Sequence, residues 1–317
     1  MCISVQKVSE NLHISDHDPV TLKQTGNIYE IRLMERTPIV TTLKVSKDLY
    51  IDLREGTGEV KEYRHNQNRS QSIYNVRQSM KKLRDLINCN VTNPERCRWV
   101  TLTYRENMKD PVQLYNDFRK FHQRFLRYVR KHYGMAYQYI VAMEPQKRGA
   151  WHAHCIFIFD RKAPFIENKI LAGIWEYGFV NVRSLLDIDN VGLYLTAYLC
   201  DMDVLEAKTC GVYAREKLKM VDSCDDDGKP IKKMVIKGAR LCLYPTGFRL
   251  FRHSRGVIYP TVTCCSEKEA QQIVGDAPKV FEKTIQVITN DKKLVNTINY
   301  RQYNRNRKED TSNPDVQ

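Results

Sequence analysis

The sequence predicts an α+β fold built on an antiparallel, split β-α-β (ferredoxin-like) sheet, with added helices and an extension at each end. Three observations carry that expectation. Between residues 98 and 201, segments of strand period and helix period alternate in the order β-α-β-β-α-β-α, the order of a split β-α-β unit followed by one further helix. Asp110 and Pro111 stand immediately before a long amphipathic run, as an N-cap and first helical residue should. The turn-like "PQKRG" at 145–149 separates two strand-like segments and so predicts a hairpin between them.

The first 60 residues read as short strands and loops, for example "NIYEIRLME" at 27–35. From 70 to 88, Ile73, Val76, Met80, Leu83 and Ile87 recur at +3 and +4, a helix whose other face carries Arg77, Lys81, Lys82 and Arg84. "NPER" at 93–96 ends that pattern. "RWVTLTY" at 98–104 alternates as a strand. In the helix that follows, to about His132, Leu114, Phe118, Phe121, Phe125 and Val129 point inward, while Arg119, Lys120, Arg124, Arg127, Arg130 and Lys131 point largely outward. "YQYIVAME" at 137–144 and "AWHAHCIFIF" at 150–159 are the hairpin strands. A helix is expected over 163–178, closed by Gly178, then a strand at 179–185 and a helix at 189–201. Beyond Met202 the chain is less regular. An acidic stretch at 222–228 precedes the basic and aromatic "KGARLCLYPTGFRLFRHSRG" at 237–256. These shifts divide the chain into an extension with a basic helix (1–95), a core (96–202), a basic and aromatic region suited to DNA (203–300) and a polar tail (301–317).

Composition narrows the function. Hydrophobic residues make up 42% of the 317 and support a real core. The formal charge of +14 favours a polyanionic partner, most often nucleic acid. No apolar run is long enough to span a bilayer and no signal-peptide pattern opens the chain, so a soluble protein of the cytoplasm is expected. The ten cysteines lack Cys-x-x-Cys spacing, which argues for reduced thiols rather than structural zinc. "GTGEV" at 56–60 lacks the Lys-Ser/Thr of a nucleotide phosphate loop, so no ATP-driven module is visible.

The chemistry concentrates on one hairpin. His152 and His154 point to the same side of their strand. If the register sets Glu144 opposite His152, one carboxylate and two imidazoles form an open-sided site for a divalent cation. Alternating polar residues on a half-buried strand and a solvated strand end explain the same three positions without a metal. Tyr194 and Tyr198, four apart, share a helical face. A tyrosine hydroxyl beside a divalent metal can attack a phosphodiester, and two rings at this spacing can equally well pack a helix onto a sheet.

The segment from about 98 to 202 resembles the catalytic domain of rolling-circle replication initiators, the HUH endonucleases, named for a His-hydrophobic-His motif. "WVTLTY" is similar to their first motif, "EPQKRGAWHAH" to the metal strand with its upstream acidic ligand, and "VGLYLTAYL" to the tyrosine helix. "KGARLCLYPTGFRLFRHSRG" is similar to a stretch found in replication proteins of plasmids and mobile elements of low-GC Gram-positive bacteria. The resemblance covers about a third of the chain. It implies that Glu144, His152 and His154 hold Mg²⁺ or Mn²⁺, and that Tyr194 or Tyr198 attacks to leave a 5′-phosphotyrosine and a 3′-hydroxyl primer. It also implies single-stranded or hairpin origin DNA as partner, and a host helicase and polymerase supplied in trans. The family's Tyr-x-x-Lys is missing: Ala197 and Asp201 stand at the two lysine positions, leaving Lys217 or Lys219 to position the phosphate. Candidate DNA contacts are Lys147 and Arg148 in the hairpin turn, and Arg249, Arg252 and Arg255 with the rings of Tyr244, Phe248 and Phe251. The helices at 70–88 and 110–132 offer further basic surface. A mobilisation relaxase or single-tyrosine transposase would share this chemistry, and a DNA-binding regulator would keep the fold without it.

Overall fold

The computed structural model describes residues 3–8, 12–37, 40–53, 58–63, 73–146, 148–186, 188–209, 218–224, 230–245, 247–289 and 293–307. The chain opens with β1 (Ile3–Val8), β2 (Pro19–Thr25), β3 (Ile28–Met34), β4 (Thr42–Lys44), β5 (Leu49–Asp52) and β6 (Glu59–Glu62). There follow α1 (Ile73–Asn90), β7 (Cys97–Tyr104), α2 (Pro111–Tyr133), β8 (Tyr137–Pro145), β9 (Trp151–Phe159), α3 (Asn168–Trp175), β10 (Gly178–Arg183) and α4 (Val191–Cys200). Next come β11 (Met202–Asp203), α5 (Val204–Thr209), β12 (Leu218–Cys224), β13 (Pro230–Ile236) and β14 (Phe251–His253). The chain closes with β15 (Thr261–Ser266), α6 (Glu267–Val274), β16 (Lys279–Thr289) and β17 (Leu294–Asn304). The fold is mixed α+β with antiparallel sheets, and no helix among the described residues is long and apolar enough to cross a membrane.

These elements form two compact units, one of residues 1–65 with 260–317 and one of residues 66–259. The second holds the segment with the histidines. Its five-stranded sheet has the order β10-β7-β9-β8-β14, every neighbouring pair antiparallel. The third strand of the β-α-β-β-α-β run, β9, inserts between the first two, β7 and β8, as a split β-α-β unit requires. The boundaries expected at 95–96 and 202–203 fall inside this unit, because α1 packs on α4 and β14 adds to β8 as a fifth strand.

The two sheet faces differ in character. On one, α2 buries Leu114, Phe118, Phe121, Phe125 and Val129, the five positions that the period marks. Phe125 and Phe121 meet Phe157 of β9 at ring separations of 4.9 and 6.2 Å. Asp110 caps this helix through Val112 N, and Gly134 ends it at φ 59°. The other face carries Trp99, Thr101 and Thr103 of β7, and α4 lies on that side, with Tyr194 edge-on to Trp99 at 5.7 Å. The helix expected over 163–178 is shorter. It ends at Glu176 in the left-handed region, and Gly178 opens β10 instead. A Cβ there would lie 2.3 Å from Thr103 O, so glycine serves a close strand approach rather than a helix cap. A separate three-stranded sheet has the order β11-β13-β12.

The first unit is a six-stranded antiparallel sheet, β1-β16-β17-β3-β2-β15, with α6 packed on Val20, Leu22, Ile31 and Leu33 through Ala270 and Val274. A second, three-stranded sheet, β4-β5-β6, belongs to the same unit. Ser266 and Glu269 form a capping box at the start of α6. The polar tail expected from 301 begins later than its composition suggests. Residues 301–304 complete β17, and the buried Arg301 donates to both Glu267 oxygens at 2.5 and 2.7 Å. A residue so charged enters a sheet interior because a bidentate carboxylate meets it there.

Candidate metal and nucleophile site

The hairpin between β8 and β9 closes through Gln146 N to Ala150 O (2.7 Å) and Gly149 N to Gln146 O (2.8 Å), with Gly149 at φ 84°. This turn sets Glu144 opposite His152 and Ala142 opposite His154. Opposed residues share a face, so the carboxylate and both imidazoles converge, and one ligand atom from each lies within 4.8 Å of the others. His154 Nε2 is 2.5 Å from Glu144 Oε2, and Thr101 Oγ1 of the neighbouring strand is 3.2 Å from His154 Nδ1. The hydroxyl thus orients the ring from behind, as outer partners of metal-binding imidazoles do. His152 Nε2 is buried without a hydrogen-bond partner among the described residues. Burial, against the opposing pull of Glu144, lowers the His152 pKa to about 4, with the charges of His154, Arg148 and Arg240 lowering it too. Near neutral pH its lone pair is therefore unprotonated. Two nitrogens and a carboxylate, one nitrogen buried and orphaned, fit a divalent cation.

Glu144 is 3% exposed and stays charged. Burial pushes its pKa up, but the hydrogen bond and charge of His154, then Arg240 and His152, outweigh burial and lower it. Arg240 is the group that sequence reasoning missed. Its Nε lies 3.0 Å from Glu144 Oε1, and its two terminal nitrogens donate to Glu206 at 3.1 and 2.9 Å. It sits in a short 3-10 turn, Ala239–Leu243, entered through Gly238 at φ 70°. Gly238 N donates to Asp201 Oδ1 at 3.0 Å, which ties this turn to the C-terminal end of α4. The one available signal was a lone arginine within "KGARLCL", far along the chain from Glu144.

Tyr194 is 38% exposed on α4 and touches Trp99, which is itself edge-on to His154 at 6.1 Å. Tyrosine and cluster therefore share a sheet face and a common neighbour. The Tyr198 side chain lies outside the described residues, as do Lys147 and Lys217. Lys219 is exposed on β12, and its charge acts on Asp201 at the end of α4. Arg148 is exposed in the hairpin turn, Nε donating to Gln146 Oε1 at 3.1 Å, and is close enough for its charge to act on His152.

The aromatic part of the expected DNA surface is corrected. Tyr244 is 1% exposed, with its hydroxyl directed at Leu199 O. Phe248 is 7% exposed and stacked on Trp151 at 4.5 Å and Tyr115 at 5.5 Å. Both rings are core, because their hydrophobic area is worth more against other rings than in solvent, and neither is open to a base. Arg249, Arg252 and Arg255 are exposed. Arg252 opposes Val141, whereas Phe251 opposes Ala142, so Arg252 points to the face that carries α2 and lies flat over Tyr115 at 3.5 Å. Of this run, Phe251 shares the face of the cluster.

Residues 97–203 match the family model described as a replication-associated protein of the ORF2 type. That segment runs from the first residue of β7 to the last residue of β11 and so contains the whole cluster and Tyr194. The similarity supports a replication-initiation role, and with it DNA as the partner. No curated protein and no solved structure matches the chain.

Proposed function

We propose that this protein initiates rolling-circle replication by nicking and rejoining single-stranded DNA with a tyrosine nucleophile, on an HUH endonuclease core. The observation that supports this best is the convergence of Glu144, His152 and His154 on the sheet face that also carries Tyr194. Glu144 Oε2, His152 Nε2 and a nitrogen of His154 would hold Mg²⁺ or Mn²⁺, which when bound supplies Lewis-acid polarisation of the scissile phosphate. The Tyr194 oxygen attacks phosphorus, the bond from phosphorus to the 3′ oxygen breaks, and the phenol proton ends on the released 3′-hydroxyl. A 5′-phosphotyrosine and a primer end for a host polymerase result, with no nucleotide cofactor required. Tyr198, one helical turn on, would serve a second transfer, and Lys219 or Lys217 the phosphate.

The test is incubation with stem-loop single-stranded DNA and Mn²⁺, followed by mass spectrometry of the covalent adduct. Tyr194→Phe should lose the first adduct, and His152→Ala should lose cleavage while keeping duplex binding, which rests on Lys and Arg contacts to phosphate. An adduct on Tyr198 alone would reverse the order of the tyrosines. Binding without any adduct would point to a DNA-binding regulator.

A further inference from the structure

β10 forms the edge of the five-stranded sheet opposite β14. Its register with β7 sets Phe179 opposite Thr103, Asn181 opposite Thr101 and Arg183 opposite Trp99. β7 in turn sets Thr103 opposite His152 and Thr101 opposite His154. Phe179, Asn181 and Arg183 therefore lie in the same cross-strand rows, and on the same face, as the cluster. Phe179 is 60% exposed, and Asn181, Arg183 and Arg105 are exposed beside it. The Arg105 guanidinium is 6.0 Å from the Phe179 ring centre, and that of Arg183 is 5.8 Å from the centre of Trp99. Neither guanidinium meets a carboxylate or a hydrogen-bond acceptor among the described residues.

A single exposed phenylalanine is ordinary on a protein surface. This one differs by having two cations without ionic partners around it and by lying two strands from His152, about 10 Å at the usual strand spacing. An open ring binds any base by stacking, and free guanidinium groups on either side bind the phosphates that connect bases. Protein partners are recognised at edge strands by backbone pairing, which needs no cations. The charge therefore selects the polyanion.

We infer that Arg105, Phe179, Asn181 and Arg183 form the landing strip for single-stranded DNA beside the scissile phosphate, Phe179 stacking one base and the two arginines holding phosphates on either side of it. The strip rests on the nicking role proposed for the neighbouring cluster, but its test reads binding alone. Fluorescence anisotropy with the full-length protein and a labelled single-stranded oligonucleotide, set against a duplex of the same length, measures it.

Phe179→Ala should weaken single-strand binding about tenfold and leave duplex binding within about twofold, while Phe179→Trp should restore it. Arg105→Ala and Arg183→Ala should each lower the slope of log affinity against log salt by about 0.7 for the single strand. Since Phe179 is exposed, circular dichroism should show an unchanged fold. Unchanged single-strand affinity in Phe179→Ala would overturn the strip, as would a loss of self-association in that variant with DNA binding intact. If the wild type nicks DNA and Phe179→Ala binds normally, the strip fails and the nicking role stands. If the wild type never nicks but Phe179→Ala loses single-strand binding, the strip stands and the nicking role fails.

Discussion

Glu144 has two oxygens and two strong partners, and their division shapes what the carboxylate can do. Oε1 is taken by Arg240 and Oε2 by His154. Arg240 also grips Glu206 with both terminal nitrogens, so the guanidinium cannot turn without breaking two ion pairs. A carboxylate held this way presents one oxygen in a fixed direction, which suits a ligand whose bonding is directional. Arg240→Ala should lower stability by about 3 kcal/mol, since it leaves buried carboxylates uncompensated. It should also weaken Mn²⁺ binding by about 10- to 100-fold in calorimetric titration, and Arg240→Lys should recover part of both. If Mn²⁺ affinity is unchanged while stability falls, Arg240 serves the fold alone.

The helix that carries Tyr194 is placed by its N-terminus. Asn190 accepts from Leu193 N at 2.9 Å and from Asn88 Nδ2 at 3.2 Å, and Asn88 Oδ1 accepts from Gly192 N at 3.0 Å. α1 and α4 approach so closely there that a Cβ on Gly192 would stand 2.5 Å from Arg84 O and 2.6 Å from Asn88 Oδ1. Gly192→Ala should therefore push α4 away from α1, costing about 1–3 kcal/mol and reducing adduct formation far more than DNA binding. A Cβ on Gly173 in α3 would meet nothing within 4 Å, so Gly173→Ala should stabilise by about 0.5–1 kcal/mol. Urea unfolding of the two variants, measured together, should give opposite signs. Elements of this kind were legible where the period was strong. The five inward positions of α2 and the pairing of Glu144 with His152 follow from spacing alone. Arg240 was not legible, because no local pattern links it to a carboxylate on another strand. Tyr244 and Phe248 misled because the irregular run at 237–256 has no period to separate inward from outward rings. The strands of the first unit were partly hidden too, since β17 runs into a stretch whose composition reads as solvated.

Over the whole molecule, charge is divided unevenly. Residues 1–65 and 260–317 contain 18 basic and 18 acidic side chains, while residues 66–259 contain 33 and 19. The entire excess of +14 therefore belongs to the unit with the histidine cluster, and non-specific attraction to DNA should reside there. Arg249→Ala with Arg255→Ala should lower the salt slope of duplex binding by up to about 1.8, whereas Lys44→Ala with Lys268→Ala should leave it unchanged. The neutral unit depends on charge in another way. Burial raises the Glu267 pKa, but hydrogen bonds from Arg301 and Gln271 outweigh it and hold the carboxyl below its ordinary 4.5. Stability from a depressed carboxyl is fully present above the ordinary value and is lost as pH falls through the native one. Unfolding of the first unit between about pH 5 and pH 3 should show this loss in the wild type, and Glu267→Gln should flatten it. The same unit is assembled from the two ends of the chain, with β17 bonded to β3 on one side and to β16 on the other, and β1 bonded to β16. On a ribosome adding roughly 5–20 residues per second, β1 waits some 15 s to a minute before β16 exists. The basic unit, contiguous from 66 to 259, can form in that interval, so a nascent chain acquires its DNA-seeking half first. A message cut short before β16 would yield a protein with that half formed and the neutral sheet lacking its two longest strands.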